Sequence, residues 1–158
     1  MTWRDELWRT CADRGVCQAV IDALTEFIER ERYLLHVDAS ERSMAHRLGV
    51  YLELRFVGWN VDCEYNRDGH LPKEVHLGQE ADPDYGSRVL PDIIVHKRGS
   101  DYNLLAVEIK KSTNPIGDEG DFEKLAAYRR DLGYLHCLFV RFQVDEHDGD
   151  VAGAVFVS

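Results

Sequence analysis

The stretch Val89–Ser112, VLPDIIVHKRGSDYNLLAVEIKKS, decides how the chain folds. It holds two apolar runs, Val89–Lys97 and Asn103–Lys111, rich in the branched aliphatic residues that suit a pleated, half-buried surface. Between them KRGSDY gathers Gly99, Ser100 and Asp101, which favour a turn. The pattern is that of a β-hairpin. Centred on Ser100, it sets Ile93 against Val107 and Asp92 against Glu108.

Residues two apart share one face of a strand, so Leu104, Ala106, Glu108 and Lys110 point one way and Leu105, Val107, Ile109 and Lys111 the other. Charged groups therefore stand among residues that should face a core. Directly opposed residues of an antiparallel pair have β-carbons roughly 4.5–5.5 Å apart, and two like charges there repel. A divalent cation between Asp92 and Glu108 answers that repulsion, since Mg²⁺ takes one or two carboxylates and completes its shell with water and substrate phosphate. Lys110, one pleat further along, could hold or help deprotonate a metal-bound water, or stabilise charge developing on a phosphate. Taken singly, these residues read as a strand-end salt bridge and an exposed acid; their common strand context favours a site.

The rest of the chain supplies the layers around this hairpin. Residues 3–12 and 16–35 have helical periodicity, with Gly15 as the expected break, and Val16, Val20, Ala23, Leu24, Phe27 and Ile28 form a buried stripe. A third helix is expected from DASERS to about Phe56, with Met44, Ala45, Leu48, Tyr51, Leu52 and Phe56 inward. After Gly58 the period becomes that of strands. WNVDCEYN comes first, followed by a polar loop from Arg67 to Ser87 that could face a substrate. A helix from about Asp118 to Leu132 separates the hairpin from YLHCLFVRF, which is apolar on both faces, and VAGAVFVS ends the sheet. A helix between the third and fourth strands permits a crossover. The expected fold is α/β (α+β), a mixed β-sheet flanked by helices on both faces.

At 158 residues the chain has the length of one domain, read as an N-terminal helical extension over 1–36 and a core over 40–158. Hydrophobic residues at 44% and charged ones at 30% exclude a disordered chain, and no run is long enough for a bilayer span. The start MTWRDELWRT lacks the basic and apolar regions of a signal peptide, so a cytoplasmic location is expected. Cys11, Cys17, Cys63 and Cys137 never form a C-x-x-C pair and are expected reduced, with Cys63 and Cys137 as small buried hydrophobes. A net charge of −10 argues against a broad basic surface for nucleic acid while permitting a local basic groove. Neither a Gly-x-Ser-x-Gly elbow nor a Gly-rich phosphate loop occurs, which leaves serine-hydrolase and P-loop chemistry without support.

Pro91 and Asp92, followed after fifteen residues by Glu108, Ile109 and Lys110, resemble the PD-(D/E)xK nuclease superfamily, whose fold is that of restriction endonucleases. The resemblance covers about Ser40 to Phe142, where helix, three strands, helix and strand follow one another as in that family's core. It implies a hydrolase that cleaves phosphodiester bonds of nucleic acid, with DNA the expected polymer, and uses Mg²⁺, with Mn²⁺ as substitute. Asp92, Glu108 and the main chain of Ile109 would hold the metal, and Lys110 would stand beside the attacking water. Similar proteins often add an acid from the helix before the first strand, here Glu41. The alternative for Glu41 is a capping box with Asp38 as cap, although Glu41 shares its face with Ala45, Leu48 and Leu52.

Glu64, Lys124, Tyr128 and His96 are accessory candidates. Glu64 ends the first strand, where an edge carboxylate is the simpler reading. Lys124 and Tyr128 lie four apart on the helix after the motif and could equally form a solvated face. His96 shares a face with Asp92 across Ile94. A rival from another class keeps the same fold without catalysis, as an acidic protein-interaction or regulatory module. The N-terminal helices could serve a homodimer or a protein partner.

Overall fold

The hairpin register expected from Val89–Ser112 is the one the chain adopts. In the computed structural model, which describes residues 1–64 and 90–158, β2 (Ile93–His96) pairs antiparallel with β3 (Asn103–Lys111), with Ile93 against Val107, Ile94 against Ala106 and Val95 against Leu105. The register then slips, and His96 faces Asn103. Leu104 is the extra residue of this bulge. Its side chain accordingly packs with Leu105 and Val107, not with Ala106 as alternation predicts. The turn closes through Lys97 N donating to Tyr102 O at 2.9 Å, and Gly99 supplies a left-handed φ of 72°.

Preceding the hairpin are α1 (Trp3–Thr10), α2 (Arg14–His36), α3 (Glu41–Arg55) and β1 (Asn60–Cys63), and following it are α4 (Glu119–Leu132), β4 (His136–Gln143) and β5 (Asp150–Phe156). The five strands lie in sequence order in one sheet, all antiparallel neighbours except β3 and β4, which α4 joins in parallel. The sheet is therefore mixed, with α1, α2 and α3 on one face and α4 on the other. The expected Arg67–Ser87 loop, the strand tail Tyr65–Asn66 and Val89 lie outside the described residues.

The starts of α1, α2 and α3 follow side-chain caps rather than the glycine punctuation. Thr2 and Asp5 cap each other's main chain at the head of α1. The break before α2 falls at Cys11–Asp13, because the Asp13 carboxylate accepts from Val16 N and fixes the start; Gly15 lies inside the first turn. Helix α3 is capped by Ser40, whose Oγ accepts from Ser43 N, and not by Asp38.

One apolar cluster runs from Leu7, Val20, Leu24 and Phe27 through Met44, Leu48 and Leu52 to Val107, Ile109, Val140 and Phe142. The helices expected as an N-terminal extension thus share the core of the sheet. A second, smaller cluster under α4 holds Ile94, Ala106, Leu125, Cys137 and Phe139. Strand β4 contributes alternately to both, which explains why its sequence is apolar throughout. Cys137 is buried, whereas Cys63 is exposed on the edge strand, against the expectation that both are core residues. No helix among the described residues is long and apolar enough to cross a membrane.

Phe142 and Phe27, both with no exposed surface, stack at 4.7 Å between ring centroids where the helices meet the sheet. Phe142→Ala should remove about 3–5 kcal/mol of stability, a large share of the roughly 5–15 kcal/mol of an ordinary domain. Urea denaturation measures this directly, and an unchanged midpoint would show that the stack is not part of the core.

Candidate active site

At the α4 face of the sheet, where β2 begins and β3 ends, a cavity of about 270 Å³ is lined by Glu41, Asp92, Glu108, Lys110, Asp121 and Lys124, with the main chain around Ile109 and Gly117. The period-two geometry of β3 explains who enters it. Ala106, Glu108 and Lys110 face α4, while the side chains of Val107 and Ile109 are buried among the three other helices. Adjacent lysines therefore part company. Lys110 Nζ turns into the cavity, and Lys111 Nζ pairs with Asp38 at 2.9 Å at the end of α2.

Asp92 stands one residue before the paired segment of β2, with its Oδ2 accepting from Ile109 N at 2.8 Å. It thereby extends the pairing of β2 with β3 through a side chain. Glu108, 3% exposed, accepts at Oε1 from Tyr128 Oη at 2.8 Å. The two carboxyl groups also act on each other's titration, Glu108 lowering Asp92 and Asp92 raising Glu108. Burial raises Asp92 above the usual carboxylate range, and the charge of Glu41 adds to this. Burial raises Glu108 well above its ordinary value, followed by the charge of Asp92; Lys124 and Tyr128 oppose the shift. Burial and Glu108 together push the Tyr128 hydroxyl far up, so it remains a donor.

Lys110 is 4% exposed. Its Nζ donates to Gly117 O at 2.7 Å and lies 2.6 Å from Asp121 Oδ2. Oδ2 of Asp121 forms no well-directed hydrogen bond, so this contact is charge pairing rather than a directed bond. Lys124 forms no hydrogen bond or ion pair among the described residues, and its charge acts on both Asp92 and Glu108.

Glu41, the first residue of α3, does not reach back to a cap as the capping-box alternative requires. Its Oε2 accepts from Lys111 N at 2.9 Å, and both its oxygens accept from Asn114 Nδ2, at 3.3 and 3.1 Å. This turns Glu41 toward the cavity. The structure thus brings together Glu41, Asp92, Glu108, Lys110, Lys124, Tyr128 and the main chain of Ile109. It leaves two accessory candidates outside. Glu64 pairs with Arg42 at 3.1 Å on the other side of β1, at a residue with φ of 52°. His96 lies beyond the apolar Ile94, where its Nε2 meets Asp62 Oδ2 at 2.7 Å in a cluster that Arg98 completes. Neither lines the cavity.

Asp121 and Asn114 escaped the sequence reading. Asp121 was accessible to it, because Asp121, Lys124 and Tyr128 follow the three- and four-residue spacing of one helix face. Asn114 carried no such signal, since it acts from an irregular segment between β3 and α4. The donor set fits a hard cation. Asp92 and Glu108 offer two carboxylates that need a positive partner, with no His or Cys lining the cavity among the described residues. Among the described residues, no three His, Cys, Asp or Glu side chains group closely enough to enclose an ion. Comparison of the chain with family models, curated proteins and solved structures gives no match.

Raised carboxyl values in the folded state make the carboxyl pair stabilising in acid and costly in base. The stability it contributes is full below the ordinary values of 3.8 for Asp92 and 4.5 for Glu108 and is lost as pH rises through their elevated folded values. Metal-free wild type should therefore lose melting temperature relative to Glu108→Gln as pH rises above about 4.5. Thermal denaturation across pH tests the difference, and parallel curves for the two proteins would show that the pair carries no such strain.

Proposed function

We propose that the chain is a divalent-metal-dependent nuclease, with Mg²⁺ as its metal and Mn²⁺ as substitute, built on a restriction-endonuclease-like fold. The observation that carries this reading is the meeting of half-buried Asp92, buried Glu108 and the ammonium of Lys110 at one cavity. The element order supports the fold assignment: α3, three antiparallel strands, α4, then a strand parallel to the third. Four free cysteines accord with a reducing, cytoplasmic setting.

In this reading Asp92 and Glu108 hold the cation, with the main chain of Ile109 beside them. The ion supplies charge neutralisation and Lewis acidity toward a phosphodiester. Tyr128 fixes the rotamer of Glu108, and the Ile109 N–H fixes Asp92, so neither carboxylate needs to reorganise. Lys110 places a positive charge where negative charge grows on the phosphate, and Lys124 offers a second cation at the same cavity, unpaired among the described residues. Glu41 can orient or accept a proton from the attacking water.

A second reading, an acidic interaction module, is favoured by one feature. Among the described residues, four acids and two lysines line the cavity, and one lysine is already paired. A single set of measurements separates the two. Labelled single- and double-stranded DNA and RNA, with Mg²⁺ or Mn²⁺, should be cut by wild type and spared when the metal is chelated. Asp92→Asn, which retains an acceptor for Ile109 N, should lower the rate by at least about 100-fold, the scale of a positioned charge-stabilising group. Cleavage indifferent to both treatments would refute the nuclease. No cleavage, together with no calorimetric heat of Mn²⁺ binding that Glu108→Ala removes, would leave the interaction module.

A further inference from the structure

Lys110 is the cation on which the proposed chemistry leans, yet it is buried, and a buried ammonium needs both a counter-charge and a direction. The structure divides these two needs between two groups. Gly117 O accepts a hydrogen bond from Nζ at 2.7 Å and sets its direction. Asp121 Oδ2, at 2.6 Å, approaches off the hydrogen-bonding directions and supplies charge alone. Asp121 is itself 8% exposed and sits in the first turn of α4, a rigid element, on the face that also carries Lys124 and Tyr128. The segment leading into this turn is fastened at both ends. Asn114 binds Glu41, and Asp118 pairs with Arg141 on β4. Asp121 therefore cannot drift from Lys110 without moving the crossover.

We propose that Asp121 is a positioning residue, holding the Lys110 ammonium at the cavity so that the N–H bonds not taken by Gly117 are presented to a phosphate oxygen. It deepens the nuclease reading and rests on it. Because the carboxylate takes no directed bond, it does not compete for the hydrogens the substrate needs. Its loss should affect turnover rather than substrate capture, since the ammonium would keep its hydrogen bond to Gly117 O but lose the counter-charge that holds it in place.

The test is a double-mutant cycle in cleavage kinetics. Asp121→Asn should lower kcat about 10- to 100-fold, the range seen when a group that orients another functional group is removed, with KM changed less than about twofold. Asp121→Glu, which keeps the charge on the same helix face, should recover part of the loss. In a Lys110→Met background, Asp121→Asn should have no further effect, because its action passes through the lysine. Wild-type kcat in Asp121→Asn, or additive losses in the double variant, would overturn the assignment. A readout that needs no activity runs beside it. At fixed pH, ¹⁵N-lysine NMR of the wild type should show a protected Nζ cross-peak, assigned by its absence in Lys110→Met. Asp121→Asn should lose this peak and Asp121→Glu should keep it. Wild type that cuts nothing overturns the nuclease reading, and the cross-peak then decides the hold on Lys110 alone, its persistence in Asp121→Asn overturning that as well.

Discussion

Two carboxyl groups pressed together out of water repel unless a proton or a cation lies between them, and in this chain the backbone gives them no way apart. Asp92 is tied to the main chain of β3 through Ile109 N, and Glu108 is tied to α4 through Tyr128 Oη. The two ties come from different layers of the fold. Separating the carboxyls would mean breaking the register of the hairpin or lifting α4 from the sheet. Everything else at the cavity can be read as a response to that constraint. Such a pair is costly for a fold of ordinary stability, and the larger apolar cluster, with its stacked Phe27 and Phe142, lies on the opposite face of the sheet, away from the charges.

The helix α4 is the element that makes the constraint tolerable. Its inward stripe presents Asp121 to Lys110, Lys124 to the cavity and Tyr128 to Glu108, so each charged or polar group on β3 meets a matching one. The match depends on the parallel crossover, because a direct hairpin from β3 to β4 would leave no helix to cover this face. Across the cavity, Glu41 is held by Asn114 and by the main chain of Lys111, not by the groups that hold Asp92 and Glu108. It adds negative charge without relieving any. The acid surplus is thus a property of the layout.

Much of this layout was legible in the sequence wherever one physical rule acted alone. The alternation of Ala106, Glu108 and Lys110 against Val107 and Ile109 follows from the pleat, and the turn centred on Ser100 set the pairing of Ile93 with Val107. Reading failed where two rules competed. Gly15 suggested a helix break, but the carboxylate of Asp13 satisfies an orphan N–H and so decides the start of α2. Asp38 and Glu41 looked like a capping pair until Ser40, two residues further along, took the cap and freed both acids for Lys111 and Asn114. The bulge at Leu104 could not be seen, since an extra residue in one strand leaves no mark on composition. Asp121 was visible as one position of a helix face, but its partnership with Lys110 joins elements that only the packed crossover brings together.

A net charge of −10 opposes the polyanionic substrate that the nuclease reading proposes. Binding through counterion release needs several lysines or arginines facing phosphates, and among the described residues the lining supplies one unpaired lysine. A chain of this charge gains little from long-range attraction and has to rely on contacts at the cavity itself. A divalent cation held by Asp92 and Glu108 would change the sign of the local field while removing the repulsion between its own ligands. The same ion that prepares a phosphate for attack would then also admit it, which ties substrate capture to metal occupancy and makes the acidic body a filter against unassisted nucleic-acid binding.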